Sequence, residues 1–534
     1  MAVFLLGICL FAGLGAIGLI GPDEPRYVSI ARSMARSGDW ITPRLWGHPW
    51  FQKPILYYWS AAASFRLFGV SERTARLPNA LAALVGALLL GWAAWHFYGA
   101  RAARLVLVLF PTAIGIFAFA HAATMDMPLA MSLTAAMVSA LFALPPASPA
   151  AAKPPGRRRV WLALVGVFLG LGTLAKGPVA VILAGGSALL WALITRRWRD
   201  VFRFLRWEPL AAFAAVALPW YVACSLANPR FPHAFLWYQN FQRYLTPVFA
   251  HVQPWWFFFP VLALGLLPWT PLLLATLRDG WRLFRSGRAA ASPALFVACW
   301  AAFPLLFFSF SDSKLPGYIL PAVPPLIFLL ARTVDRFPSS REPQPNGRQR
   351  DRLGRWAVAL VGLTLIALAA TAGHWLRRLP QSWDLAHHTV ILALLVATAL
   401  VGVLVAVLAA FRRSRRAVAI TALWMGVLVA VVAWFFLPRV GPYLSARDAA
   451  AAARQVVEPG ASVEVYGLSR DWVYSLDYYF DRRLPVWSPN ETRPVWVYTT
   501  EKTLPTFVQH HRRPSVTLPL RGGLVLAHLA GSAP

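Results

Sequence analysis

Acidic residues are scarce in this chain: 21 Asp and Glu stand against 51 Lys and Arg, and charged residues of both signs make up only 13% of 534. Soluble domains carry about 25%, so the chain lacks the polar surface that would keep it in water. Cysteine is scarcer still. Cys9, Cys224 and Cys299 stand at unrelated spacings, each inside an apolar run. That pattern excludes a disulfide framework and a Cys/His metal motif and leaves three small packing residues. No internal repeat of about 20–50 residues is visible, which argues against a solenoid or propeller.

What the chain has is apolar length. Its hydrophobic share is 58% and its mean hydropathy +0.54. Hydrocarbon of about 30 Å requires about 20 apolar residues per crossing helix. About thirteen such stretches are expected, near 2–20, 79–98, 104–123, 127–145, 160–175, 178–195, 209–226, 255–276, 294–310, 318–333, 356–374, 389–411 and 418–437. The first has neither a basic leading region nor an A-x-A-like cleavage site, so it reads as a span and not a signal peptide. Counting loops from an internal N-terminus, the even connections carry YGARAAR, KPPGRRR, RRWRDVFRFLR, RDGWRLFRSGR, the Pro/Arg-rich 332–355 stretch and RRSRR. Positive-inside asymmetry places these in the cytoplasm, with the first loop and the C-terminal hundred residues outside. The formal charge of +30 is thereby accounted for by topology and anionic lipid, and no nucleic-acid partner is expected.

Residues 1–437 are thus read as a polytopic α-helical membrane domain and 438–534 as a soluble external α/β domain. In the tail, SVEVYGL, PVWVYTT and SVTLPLRGGLVLAHL have strand character, separated by helix-like DWVYSLDYYF and EKTLPTFVQHH. His510 and His511 lie there without a nucleophile or metal arrangement around them.

Ion-coupled transporters carry ionisable residues within their spans, and here the spans hold almost none. Outside the tail and the cytoplasmic loops the acids are Asp23, Glu24, Asp39, Glu72, Asp126, Asp312 and Asp384, all at external helix ends or in external loops. The external bases closest to the span boundaries are Lys53, Lys176, Arg243 and Lys314. This layout points to a site at the outer interface, with one substrate borne by lipid and another arriving from water. In the first external loop, 21–78, RYVSIARSMARS sets Tyr27, Ile30, Ala31, Met34 and Ala35 on one helical face and arginines on the other, as an interfacial amphipathic helix does. LYYWSAAASFRLFG at 56–69 has an aromatic-rich face suited to the headgroup region.

Six ordered motifs carry a resemblance over about residues 15–330: GPDEPRYVSIARSMARSGDWITPRLWGHPWFQKPILYYW, FGVSERTARLPNAL, TMDMPLA, LAKGPVA, WWFFFPVLALGLLPW and SDSKLPGYILPAVPPL. With these the chain resembles the polyprenyl-phosphate-dependent glycosyltransferases of the GT-C fold, above all the bacterial aminoarabinose transferases that modify lipid A, themselves similar to protein O-mannosyltransferases. The resemblance implies a multi-pass protein of the bacterial inner membrane with a periplasmic C-terminal domain. It further implies transfer of a sugar from a polyprenyl-phosphate donor to lipid A, another glycolipid or a protein, with the lipid phosphate leaving; a single displacement with Asp23 as base would invert the anomeric centre. By the same resemblance Asp23 and Asp126 are the expected catalytic acids, and Glu24 joins them as the second member of the acid pair placed directly after the first span. Lys53 of the Lys-Pro pair would hold the lipid phosphate, with Tyr318, Lys314 and Arg243 as further phosphate-side contacts.

One departure bears on cofactors. Where the aminoarabinose transferases have an acid before the Lys-Pro pair and a Glu-His pair before an arginine, this chain has Gln52 and the run Gln239-Asn240-Phe241-Gln242-Arg243. Amides are poor zinc ligands beside imidazole and carboxylate, so no metal or other cofactor is expected. A lipid-carrier flippase and a non-catalytic envelope-assembly protein are the alternatives, separable from a transferase by turnover.

Overall fold

The computed structural model describes residues 1–144, 155–242, 253–287, 289, 292–337, 347–378, 389–490 and 492–530. Among them, eight helices are long and apolar enough to cross a membrane: Glu72–Tyr98, Asp126–Ala143, Arg157–Lys176, Trp207–Ala227, Pro316–Asp335, Arg352–Leu376, Thr389–Ala410 and Ser414–Leu444. A ninth is possible if Ala100–Leu109 and Ile114–Ala120, bent by 63°, act as one. The expected count of thirteen is not confirmed by these helices. Ala2–Phe11, Val179–Thr195 and Pro293–Ser309 are further apolar helices of 10–17 residues. The 255–276 stretch divides into Phe258–Gly265 and Leu272–Arg285, since Pro268 and Pro271 interrupt the amide ladder between them.

Two compact units form. One comprises Met1–Ala12, Phe51–Tyr57 and Asn79–Ala430, the other Gly13–Trp50, Tyr58–Pro78 and Val431–Pro534. The first is the membrane unit. Its core gathers Phe110, Phe258, Trp269, Phe296 and Trp300, and the Trp269 indole donates to Thr112 Oγ1 at 3.1 Å. The helices Gly347–Leu376 and Thr389–Ala410 run against each other at backbone distance. A Cβ added to Gly362 would meet the Gly402 carbonyl oxygen at 2.4 Å, the small-residue contact by which helices associate in lipid. Leu392, Val396, Leu400 and Val403 remain exposed on the outer helix, as lipid-facing residues do.

The second unit carries a hairpin of β1 (Arg44–Leu45) and β2 (His48–Pro49), and a four-stranded sheet of β3 (Val463–Val465), β4 (Val495–Thr500), β5 (Pro514–Pro519) and β6 (Leu524–Leu529). The sheet order is β3-β4-β6-β5, with β3 and β4 parallel and the other pairs antiparallel. Strands and helices thus fall where the tail's alternation placed them. Strand β4 is buried on both faces: Trp496 and Tyr498 pack with Leu476 and Leu526, while Val495 and Val497 pack with Trp487 and Phe507.

The helix Asp23–Ser37 belongs to this unit, and it corrects the interfacial reading of the first loop. Two of its three arginines are not held in water on an outer face: Arg26 and Arg32 are 6% and 8% exposed, and only the Arg36 side chain reaches out, 59% exposed. Arg32 lies over the Tyr478 ring at 4.3 Å and donates to the Tyr478 carbonyl at 3.0 Å, so the polar face is buried against the Arg470–Phe480 helix.

Candidate functional site

The membrane unit draws its charged motifs together through a small apolar knot. Leu129, Ala175 and Ala180 form a buried cluster on which Leu56 and Val179 pack. Leu56 follows Lys53 by three residues, Leu129 follows Asp126 by three, and Ala175 precedes Lys176. Packing these five apolar side chains therefore delivers two lysines and a carboxylate to one neighbourhood. Asp126 stands in the first turn of Asp126–Ala143, where the helix dipole favours a negative charge. The turn before it is tied down: Asn79 Nδ2 donates to the carbonyls of Ala122 and, at 2.9 Å, Thr124, and His121 Nε2 lies 2.9 Å from the Ala12 carbonyl oxygen.

Lys176 donates to Asp126 Oδ1 and forms an ion pair with it. Its ammonium also lies over the Tyr318 ring, 4.6 Å from the centroid, an attractive cation–π placement. Lys53 acts electrostatically on the same carboxylate. Beside it, Phe51 is held edge-on to Phe231 at 5.3 Å, which anchors the turn that presents Lys53. On the opposite side the backbone of Gly317 approaches so closely that a Cβ there would lie 2.7 Å from Asp126 Oδ1. Two ammonium groups and one carboxylate leave a net positive charge, bordered by an aromatic ring.

Lys314, expected as a phosphate contact, is 5% exposed. It donates to the carbonyls of Gln253, at 2.9 Å, and Ser311, so it fastens its own loop. Arg243 and the side chain of Asn240 lie outside the described residues. Lys176 was recognisable in the sequence only as a base near a span boundary; its partner is 50 residues away, and nothing in the local pattern announces the pair. Among the described residues no group of three or more His, Cys, Asp or Glu side chains is arranged to hold a metal ion.

The second unit holds the other two expected acids, and it separates them. Glu24 is buried, and both its oxygens are engaged: Arg76 Nε donates to Oε1 at 3.0 Å, Arg76 Nη2 to Oε2 at 2.7 Å and the Ile20 amide to Oε2 at 2.9 Å. Arg76 spends its remaining donors on the carbonyls of Leu14, Ile17 and Gly18 at 2.9, 2.8 and 2.9 Å. Glu24 is therefore a structural carboxylate, committed to a guanidinium and not presented to a substrate, which corrects its expected catalytic role. This network also explains why the first apolar stretch stops being helical at Phe11. The carbonyls that leave the helical ladder after Gly13 are received by Arg76, and Tyr479 completes the set by accepting from the Leu19 amide at 3.0 Å and donating to Glu72 at 2.8 Å.

Asp23 differs. Its side chain is 47% exposed and pairs with Arg26 one turn on. Arg26 Nε is held by the Pro22 carbonyl at 2.7 Å and its guanidinium lies 5.0 Å from the Tyr474 ring centre. Asp23 is thus an accessible carboxylate at a helix start whose counter-ion is fixed in place.

Comparison with known proteins shows what these arrangements belong to. A family model described as dolichyl-phosphate-mannose-protein mannosyltransferase matches residues 17–238. The undecaprenyl phosphate-alpha-4-amino-4-deoxy-L-arabinose arabinosyl transferase of Edwardsiella ictaluri (strain 93-146) is 35% identical over 319 residues, 59% of this chain and 55% of that protein. The like-named protein of Enterobacter sp. (strain 638) is 32% identical over 378 residues, 70% of this chain and 66% of that protein. A crystal structure of ArnT from Cupriavidus metallidurans bound to undecaprenyl phosphate matches with a TM-score of 0.78 at 26% identity, covering 100% of this chain and 98% of that one. The chain belongs to the GT-C family of the aminoarabinose transferases. It is a polytopic membrane protein of that family, although the matched stretches span only 55% and 66% of the two curated relatives. The family-model match ends at residue 238, so it includes Asp23, Lys53, Asp126 and Lys176 but not Lys314 or Tyr318.

Proposed function

We propose that this protein is an integral membrane glycosyltransferase that moves a sugar from an undecaprenyl-phosphate donor to lipid A or another envelope acceptor. The observation that carries the reading is the Lys53–Asp126–Lys176 cluster beside Tyr318 in the membrane unit. A phosphate ester leaving an anomeric carbon gains negative charge as the bond breaks, and fixed cations in a water-poor setting stabilise that charge most. Lys53 binds the lipid phosphate in this account, Tyr318 and Lys176 border it, and Asp126 orients Lys176. Asp23 accepts the acceptor's proton as its oxygen attacks the anomeric carbon; the bond to the phosphate breaks in the same displacement and the centre inverts. Glu24, through Arg76, is a positioning residue that fixes the start of the helix bearing Asp23.

The arginine-rich even loops support a cytoplasmic N-terminus and a periplasmic C-terminal domain in the bacterial inner membrane. No cofactor enters the reaction, because Lys53 can neutralise a monophosphate leaving group and Gln52 is a weak ligand for zinc. The decisive experiment supplies purified protein with undecaprenyl-phosphate sugar and lipid A in the presence of EDTA. Release of undecaprenyl phosphate together with a glycosylated acceptor is expected. Absence of turnover in every metal condition would refute the transferase reading, and turnover that needs one added divalent ion would refute its metal-free form.

A further inference from the structure

A cavity of about 400 Å³ opens within the second unit, inside the size range of small-molecule sites. It is lined by Ser29, Arg32, Ser33, Arg36, Trp46 and Asp481. Ser29, Ser33 and Arg36 recur along the Asp23–Ser37 helix at intervals of three and four, the spacing of one helical face. Opposite them, Asp481 follows the Arg470–Phe480 helix in a left-handed conformation, φ 56°, and Trp46 stands at the tip of the β1–β2 hairpin with φ 53°. Both are non-glycine residues in a region that costs backbone energy. The hairpin and the helix end thereby bring Trp46 and Asp481 to the wall of the cavity that the serines line.

Two features show a site waiting for a ligand. Ser29 is 5% exposed, yet its hydroxyl has no hydrogen-bond partner among the described residues, and leaving a buried polar group unmet costs about 1–3 kcal/mol. Arg32 and Arg36 share the single carboxylate of Asp481, Arg32 at 2.7 Å. Two guanidiniums against one acid leave one positive charge, and the Arg36 side chain is 59% exposed.

We infer that this cavity binds a phosphorylated sugar, the headgroup of the acceptor glycolipid. The indole offers a flat apolar face to a pyranose ring, the serine hydroxyls and Asp481 exchange hydrogen bonds with ring hydroxyls, and Arg36 pairs with the phosphate through a planar fork suited to it. The assignment of this ligand as acceptor rests on the transferase reading above. The cavity itself does not depend on it, and neither does the binding test.

Full-length protein in lipid nanodiscs is titrated with glucosamine 1-phosphate, glucosamine and inorganic phosphate, followed by ligand-observed NMR, with no donor present. The sugar phosphate is expected to bind at least tenfold more tightly than either part. Arg36→Gln and Trp46→Ala, neither of which empties a core position, should each weaken it by tenfold or more, and Ser29→Leu should abolish it. In nanodiscs containing lipid A the same variants should lose lipid A binding in parallel and raise the KM for lipid A, leaving that for the donor unchanged. Equal affinity for sugar phosphate and inorganic phosphate would overturn the proposal, as would folded variants with unchanged affinity. Weakened sugar phosphate binding with unaltered lipid A binding would overturn the acceptor assignment. Normal binding losses in a protein that never turns over would sustain the site and refute the transferase reading alone.

Discussion

Replacing Gly317 by alanine tests the candidate site with a single methyl group. The new Cβ would sit 2.7 Å from Asp126 Oδ1, 2.8 Å from Cγ and 3.0 Å from Oδ2, against ordinary contacts of 3.4–4 Å. Relief requires the carboxylate or the 316–322 turn to move by roughly half an ångström or more. Asp126 cannot retreat without loosening Lys176, which in turn lies over Tyr318. Misplacing a reacting constellation by about 1 Å costs on the order of 10²-fold, whereas overpacking one methyl group costs about 1–3 kcal/mol of stability. Gly317→Ala should therefore fold, melt modestly lower, and release undecaprenyl phosphate roughly 10²-fold more slowly in detergent. Gly185→Ala is the control, since a Cβ there meets nothing within 4 Å, and its turnover should match the wild type. A Gly317→Ala protein working at the wild-type rate would refute the idea that the Asp126–Lys176 geometry matters to transfer.

Asp23→Asn keeps the shape of the side chain and removes its basicity, so turnover should fall by about 10²–10⁴-fold with donor binding intact; a wild-type rate would transfer the base's role elsewhere. Arg76→Leu strands the buried Glu24 carboxylate and three carbonyls, and should destabilise the second unit by about 3–5 kcal/mol, read as increased protease cleavage between residues 13 and 78. Burial pushes the Asp477 carboxyl up from 3.8 to about 6, against the opposing Leu484 amide and Arg483. The native state thus holds more protons than the unfolded chain between those values. Stability of the sheet should fall as pH rises from about 4 to about 6, by about 3 kcal/mol at most, and stay level above. Hydrogen exchange of β4 amides, corrected for intrinsic rates, should show this slope in the wild type and lose it in Asp477→Asn.

Hydropathy made the helices legible but not their interruptions. The stretch 2–20 contains no charge, and a window average cannot register that Arg76, far along the chain, accepts the task of satisfying the carbonyls of Leu14, Ile17 and Gly18. The bend between Leu109 and Ile114 arises at Pro111 and Thr112, residues that apolar flanks outweigh in any average. In the tail, short runs of β-branched and aromatic residues marked the strands, and β4 is apolar at successive positions because each of its faces meets a different set of apolar partners. Of the site, Asp126, Lys53 and Tyr318 were legible from their motifs. The adjacent letters of Asp23 and Glu24 concealed opposite fates, one exposed and one locked to Arg76, since neighbouring helix residues point about 100° apart. The amphipathic face of 23–37 was legible too, but a buried arginine and a solvated one have the same sequence signature until the partner carbonyl of Tyr478 is in place.

The central claim is that Lys53 holds the lipid carrier's phosphate, and it is tested most directly by the affinity of purified Lys53→Ala for undecaprenyl phosphate, measured alongside its melting temperature. A charge-assisted hydrogen bond is worth about 1.5–3 kcal/mol, so affinity should fall by about ten- to a hundredfold in a protein that melts as the wild type does, with Lys53→Arg recovering part of the loss. A folded Lys53→Ala protein that binds undecaprenyl phosphate as tightly as the wild type would contradict the account.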